Sequence, residues 1–142
     1  MGALSVDHLE EITDEDIEAL KDSNCMPTIL PSCSHFLSIP YGDARKMINA
    51  GLPVALASDF NPGSTPSGNL QFVLSLGCVK MKMTPEEAIN SVTINSAYAM
   101  GLSVTHGTIS LGKTTPIIIT KAIPSLAYIP YAFGDNHVER VI

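Results

Sequence analysis

Pro53-Val54-Ala55-Leu56-Ala57-Ser58-Asp59 is an unbroken apolar run that ends on a hydroxyl and a carboxylate. A strand over Pro53–Ala57 that is apolar throughout, rather than at alternate positions, is expected to be a parallel strand covered on both faces. Ser58 and Asp59 then fall at its C-terminal end. Upstream, a helix is expected from about Asp43 to Ala50, with Gly51 as its C-terminal stop. Downstream, the Gly/Pro/Ser/Thr-rich loop Asn61–Gly68 leads into a helix over about Asn69–Val79.

The same unit recurs toward the N-terminus. A strand is expected over Thr28–Leu30, ending in Pro31-Ser32-Cys33, and another over Ala3–Val6, buried and followed by Asp7 and His8. Thr13 has the residue type and position of an N-cap. Asp14, Glu15 and Asp16 lie in the first turn, where the helix dipole favours anions. Ile17 and Leu20, with Ala19, form the expected buried face. On the other side of the loop, Thr84-Pro85-Glu86-Glu87 is a helix start with Thr84 as N-cap, Pro85 at the first helical position and Glu87 placed to close a capping box. A short helix over about Ile94–Met100 stops at Gly101. Short β-runs follow at Pro116–Thr120, Leu126–Tyr131 and His137–Ile142. Strand–helix repeats with polar residues at the strand C-termini suggest a (β/α) barrel, whose active site lies at that face. A whole barrel takes roughly 250 residues. The fold class is therefore α/β, either a small open sheet or the last three βα units of a barrel.

Composition narrows the function classes. The chain has 142 residues, 45% hydrophobic and 15% charged, with mean hydropathy +0.23. That is apolar for a free-standing domain, and fits either a surface that packs on further protein or strands buried on both faces. Net charge is −6, and no Lys/Arg run exceeds two residues, so a nucleic-acid footprint is absent. Cys25, Cys33 and Cys78 are odd in number and lack C-x-x-C spacing, which reads as reduced thiols in a cytoplasmic protein. No membrane span, signal peptide or myristoylation pattern is visible, Val6 standing where that pattern needs Ser or Thr. A strand that begins almost at the first residue suggests a chain cut from a longer one.

Asp59 is the leading candidate for chemistry. A carboxylate at the lip of a buried strand is costly unless paired, metal-bound or hydrogen-bonded. It could equally cap the Asn61-Pro62-Gly63 turn. His8 holds the matching place two strands earlier and suits metal ligation, proton transfer or oxyanion polarisation, or simple packing beside Asp7. The two at one edge of neighbouring strands say more than either alone, but a catalytic zinc site usually has three protein ligands. Asn61-Pro62-Gly63-Ser64 offers close backbone approach and side-chain hydrogen bonds to a ligand, or an ordinary turn. His35 and His137 read as structural or surface residues. Met47, Met81, Met83 and Met100 read as core filler.

Taken together, Ser5-Val6-Asp7-His8, Ala55-Leu56-Ala57-Ser58-Asp59-Phe60-Asn61-Pro62-Gly63-Ser64, Met83-Thr84-Pro85-Glu86-Glu87-Ala88, Val92-Thr93-Ile94-Asn95-Ser96-Ala97 and Tyr131-Ala132-Phe133-Gly134-Asp135-Asn136-His137-Val138 resemble, in collinear order, the C-terminal part of the imidazolonepropionase family of amidohydrolases. The resemblance implies strands six to eight of a TIM-like (β/α)8 barrel over residues 1–105, and part of a flanking β-sandwich over 106–142. It implies Asp59 as the strand-eight metal ligand and proton carrier, and His8 as the strand-six histidine near the substrate carbonyl. Asn61, Gly63 and Ser64 become substrate-binding positions. The implied reaction is hydrolysis of the cyclic amide of 4-imidazolone-5-propionate to N-formimidoyl-L-glutamate, with one divalent metal, Zn or Fe, in the intact enzyme. The implied partners are a small-molecule substrate and further copies in a homo-oligomer, with no nucleic acid and no membrane. The family's H-x-H pair is missing from this sequence, and so is its strand-five histidine, so the chain alone is expected to be inactive and to bind no metal. Where the family's tail usually reads Gly-Lys-x-Ala-Asp, this chain has Gly112-Lys113-Thr114-Thr115-Pro116. The rival readings are a cytosine or guanine deaminase relative and a non-catalytic docking fragment.

Overall fold

The structure is a computed structural model that describes residues 2–142. Its elements run β1 (Ser5–Asp7), α1 (Asp14–Lys21), β2 (Met26–Ile29), α2 (Pro31–Leu37), α3 (Ala44–Asn49), β3 (Ala55–Leu56), α4 (Leu70–Val79), α5 (Pro85–Val92), α6 (Ile94–Ala99), β4 (Ile118–Thr120), α7 (Tyr128–Tyr131) and β5 (Val138–Val141). β1, β2 and β3 form a parallel sheet in that order. All three strands therefore end at one edge, as the repeated βα pattern requires. His8 and Asp59 share that edge on strands that flank β2, two strands apart, as their spacing in the sequence predicts. β4 and β5 form a separate antiparallel pair.

The apolar run before Asp59 is buried on both faces, with Val54, Ala55 and Leu56 at most 1% exposed. Ile29, Met47, Leu52, Val73, Leu74, Met81, Met83 and Ala88 pack around it. Helix α4 lies so close that a Cβ on Gly77 would come within 2.9 Å of Leu56 Cδ1. Helix α6 secures the same strand from its other edge. Ala57 N–H donates to Ile29 O in the β2 ladder. The alternate carbonyls of Val54 and Leu56 instead accept from Asn95 Nδ2 (2.8 Å) and Ser96 Oγ (3.3 Å). Side chains of α6 thus complete the backbone pairing that a fourth strand would otherwise supply.

The helix starts follow their residue types. Thr13 with Asp16, and Thr84 with Glu87, each form a reciprocal capping box. Asp43 and Asn69 cap α3 and α4, and Gly51 and Gly101 leave their helices with φ of 89° and 71°. Four expectations fail. The first strand is not buried: β1 is an edge strand, and Leu4 and Val6 are 55% and 36% exposed. Ala19 is exposed on the outer face of α1, and Met100 is 63% exposed rather than core. Leu126–Tyr131 is not a strand. Pro130 cannot donate to a ladder, but sits without cost in the first turn of α7, where that N–H has no partner to lose. Helix α2 was not expected. Pro31 at its first position presets φ, and its first turn, Pro31 to Ser34, is buried. No helix among the described residues is long and apolar enough to cross a membrane.

Candidate functional site at the strand C-termini

Asp59 leaves β3 in the left-handed region, with φ of 54°. That conformation is uncommon outside glycine and is tolerated best by Asn and Asp. It turns the chain into a loop held almost wholly by one side chain. Asn61 Oδ1 accepts from the backbone N–H groups of Gly63 and Ser64, both at 2.8 Å. Asn61 Nδ2 donates to Asp59 O at 2.7 Å and to Ser64 Oγ at 2.6 Å. Ser64 Oγ in turn donates to Asp59 Oδ2 at 2.7 Å. A bridge between Asn61 and Thr65 closes the loop. Asn61 and Ser64 therefore fix the Asp59 carboxylate, and Gly63 stands exposed at the loop's tip.

His8 ends β1 in a sharper hook, since both His8 (φ 78°) and Leu9 (φ 70°) are left-handed. The hook returns Glu10 to the imidazole, with His8 Nδ1 3.3 Å from Glu10 Oε1. Asp7 is not its partner; it accepts from Ser5 Oγ at 3.1 Å instead. From the end of β2 comes Cys33, 2% exposed and set against Ser64 and Asp59. Burial pushes its thiol up; contact with Ser64 pulls it down, while the negative charges of Asp59 and Glu10 add to the rise. Burial and a raised thiol pKa make Cys33 a packing group in this site. Glu10 and Cys33 were not singled out as site residues from the sequence.

A carboxylate fixed on one oxygen by Ser64 retains lone pairs for a cation, so Asp59 fits a metal-ligating role in chemistry. The count does not suffice: among the described residues no group of three His, Cys, Asp or Glu side chains is placed to hold a metal ion. His35 lies outside this cluster, exposed and edge-on to Phe72. His137 is buried, with Nε2 3.1 Å from Ala132 O, and belongs to the packing of α7.

A model of the amidohydrolase family matches residues 5–142. The chain is 68% identical over 141 residues to an imidazolonepropionase of Flavobacterium johnsoniae, covering 99% of this chain and 34% of that protein. It is 66% identical to an imidazolonepropionase of Christiangramia forsetii, covering 98% of this chain and 34% of that protein. The chain thus spans about a third of the length of these curated relatives. Among solved structures, Escherichia coli guanine deaminase superposes with TM-score 0.78 at 16% identity, over 97% of this chain and 37% of that one. A zinc-bound adenosine deaminase from Xanthomonas campestris superposes with TM-score 0.72 at 16% identity, over 77% and 26%.

Proposed function

The chain belongs to the amidohydrolase family, and on that premise we propose that it is the C-terminal third of an imidazolonepropionase. In the whole protein this enzyme opens 4-imidazolone-5-propionate to N-formimidoyl-L-glutamate. The observation that carries the reading is the 68% identity over 99% of the chain. In this reading β1, β2 and β3 are the last three strands of the barrel, residues 106–142 belong to the flanking β-sandwich, and the enzyme works as a homo-oligomer.

Asp59 would be one ligand of a single divalent ion, Zn or Fe, with the remaining ligands supplied by residues outside this chain. Such an ion acidifies water toward neutral pH and polarises a carbonyl. Asp59, held by Ser64 Oγ, accepts the proton of the attacking water and passes it to the departing ring nitrogen. His8 hydrogen-bonds the oxygen on which negative charge develops. The Asn61–Ser64 loop presents the Gly63 backbone to the substrate, while Asn61 and Ser64 keep the loop and the carboxylate in register.

The test is a substrate profile of the full-length protein. Loss of imidazolone absorbance, with guanine and cytosine left unchanged, supports the reading. Deamination of guanine or cytosine with no action on the imidazolone would replace it by a deaminase.

A further inference from the structure

The hydrogen bonds of the Asn61–Ser64 loop do not account for Glu10. Its side chain is only 13% exposed, although it is a carboxylate on a surface turn. Two side chains converge on the same oxygen. His8 Nδ1 lies 3.3 Å from Glu10 Oε1, and Ser34 Oγ donates to Oε1 at 3.4 Å. Ser34 is itself fully buried and comes from α2, in the neighbouring βα unit. The chain between His8 and Glu10 turns through two successive non-glycine residues, His8 and Leu9, in left-handed backbone conformations. Such strain persists where surrounding structure enforces it, typically at functional sites.

We propose that Glu10 is a positioning residue for His8. It accepts the Nδ1–H hydrogen bond, so fixes the tautomer and the ring plane, and Ser34 anchors the carboxylate in turn. A carboxylate can only accept in this pair, so Nδ1 must carry the proton. Nε2, which has no hydrogen-bond partner among the described residues, is then the atom left for the substrate. In the neutral ring it can only accept, so the contact proposed with the developing oxyanion is made by the doubly protonated ring, whose Nε2–H donates while Glu10 faces its positive charge. Histidine–carboxylate pairs recur wherever one ring nitrogen must be presented in a defined state. The inference rests on the catalytic role proposed for His8, but its primary readout needs no substrate.

The experiment is ring-nitrogen NMR on the full-length protein labelled with 15N-histidine, the His8 signals being assigned by their loss in His8→Asn. Wild-type His8 should show a protonated Nδ1, whereas a free neutral imidazole favours the proton on Nε2. Glu10→Ala should shift the neutral ring's proton to Nε2 and, by removing both the negative charge that supports the doubly protonated ring and the bond that fixes its plane, lower kcat about 10–100-fold with KM nearly unchanged. Glu10→Gln, whose carbonyl can still accept from Nδ1, should keep the tautomer and recover part of kcat. It also serves as the test should the alanine variant not fold. Wild-type His8 with its proton on Nε2, or a tautomer indifferent to Glu10→Ala, would overturn the proposal. A tautomer that shifts as stated in a protein inactive on the imidazolone would leave this inference standing and overturn the assigned reaction.

Discussion

Asp59 and His8 sit at the ends of two strands of one parallel sheet, yet the roles proposed for them predict different failures. In the full-length protein, Asp59→Asn keeps the shape and loses the charge, so under the proposed function metal content and turnover should fall together. His8→Ala removes a hydrogen-bond donor to the developing oxyanion, so metal should largely remain while kcat falls about 10²–10³-fold, the scale for losing one such donor. Metal analysis of both variants beside steady-state kinetics separates the roles. Equal loss of metal from both would make His8 a ligand. Their places at the strand ends were legible in the sequence because each lies two residues beyond a strand-forming run, Val6 before His8 and Ala57 before Asp59. Glu10 and Cys33 were not. Glu10 reaches His8 through two left-handed residues that carry no glycine to mark them, and Cys33 arrives on a helix whose existence the sequence did not announce.

Strand β3 is only two residues long by its ladder, yet it carries Asp59, so the elements around it must hold it. Asn95 does so by donating to Val54 O. Asn95→Ala leaves a part-buried carbonyl unpaired and should lower stability by about 1–3 kcal/mol, read from the denaturation midpoint of the full-length protein. A change below the error of that measurement would mean that water or another strand replaces the bond. Glu87 performs a second task of this kind. It closes the Thr84 capping box and pairs with Arg45, which also donates to Lys82 O at 3.0 Å through Nε. The Arg45 hydrogen bond is the main reason its carboxyl lies below the ordinary value of 4.5. The folded-state value is depressed, so its contribution to stability is complete above that ordinary value and is lost as pH falls through the lower one. Glu87→Gln should therefore cost about 1 kcal/mol near neutral pH and close to nothing in strong acid, as paired pH-dependent denaturation curves would show. An equal loss at both ends would mean that shape rather than charge matters. The capping box was legible from Thr84 and Glu87. The Arg45 partner was not, because 42 residues separate the pair. Helices α2 and α7 escaped for a related reason. Their residues are weak helix formers, and burial and a proline in the first turn set their conformation.

At the scale of the whole molecule, the apolar composition anticipated by the mean hydropathy has two sources. The run through β3 is buried, with Val54, Ala55 and Leu56 at most 1% exposed, whereas Val6 on β1 and Leu4 just before it are exposed along an unpaired strand edge. The parallel order of the sheet and the common edge of its chemistry were readable from three apolar runs with polar ends, because strand direction follows from the intervening helices. The separate β4–β5 pair was readable only in part, since Pro130 converts the middle run to helix. Among the described residues no group of three His, Cys, Asp or Glu side chains is placed to hold a metal ion, so the proposed reading needs donors that this polypeptide does not supply. The most direct test is to compare hydrolysis of 4-imidazolone-5-propionate by the full-length protein and by the purified 142-residue polypeptide, each supplied with Zn²⁺ or Fe²⁺. The account predicts turnover by the full-length protein and none by the polypeptide; metal-dependent turnover by the polypeptide alone, or none by the full-length protein, would contradict it.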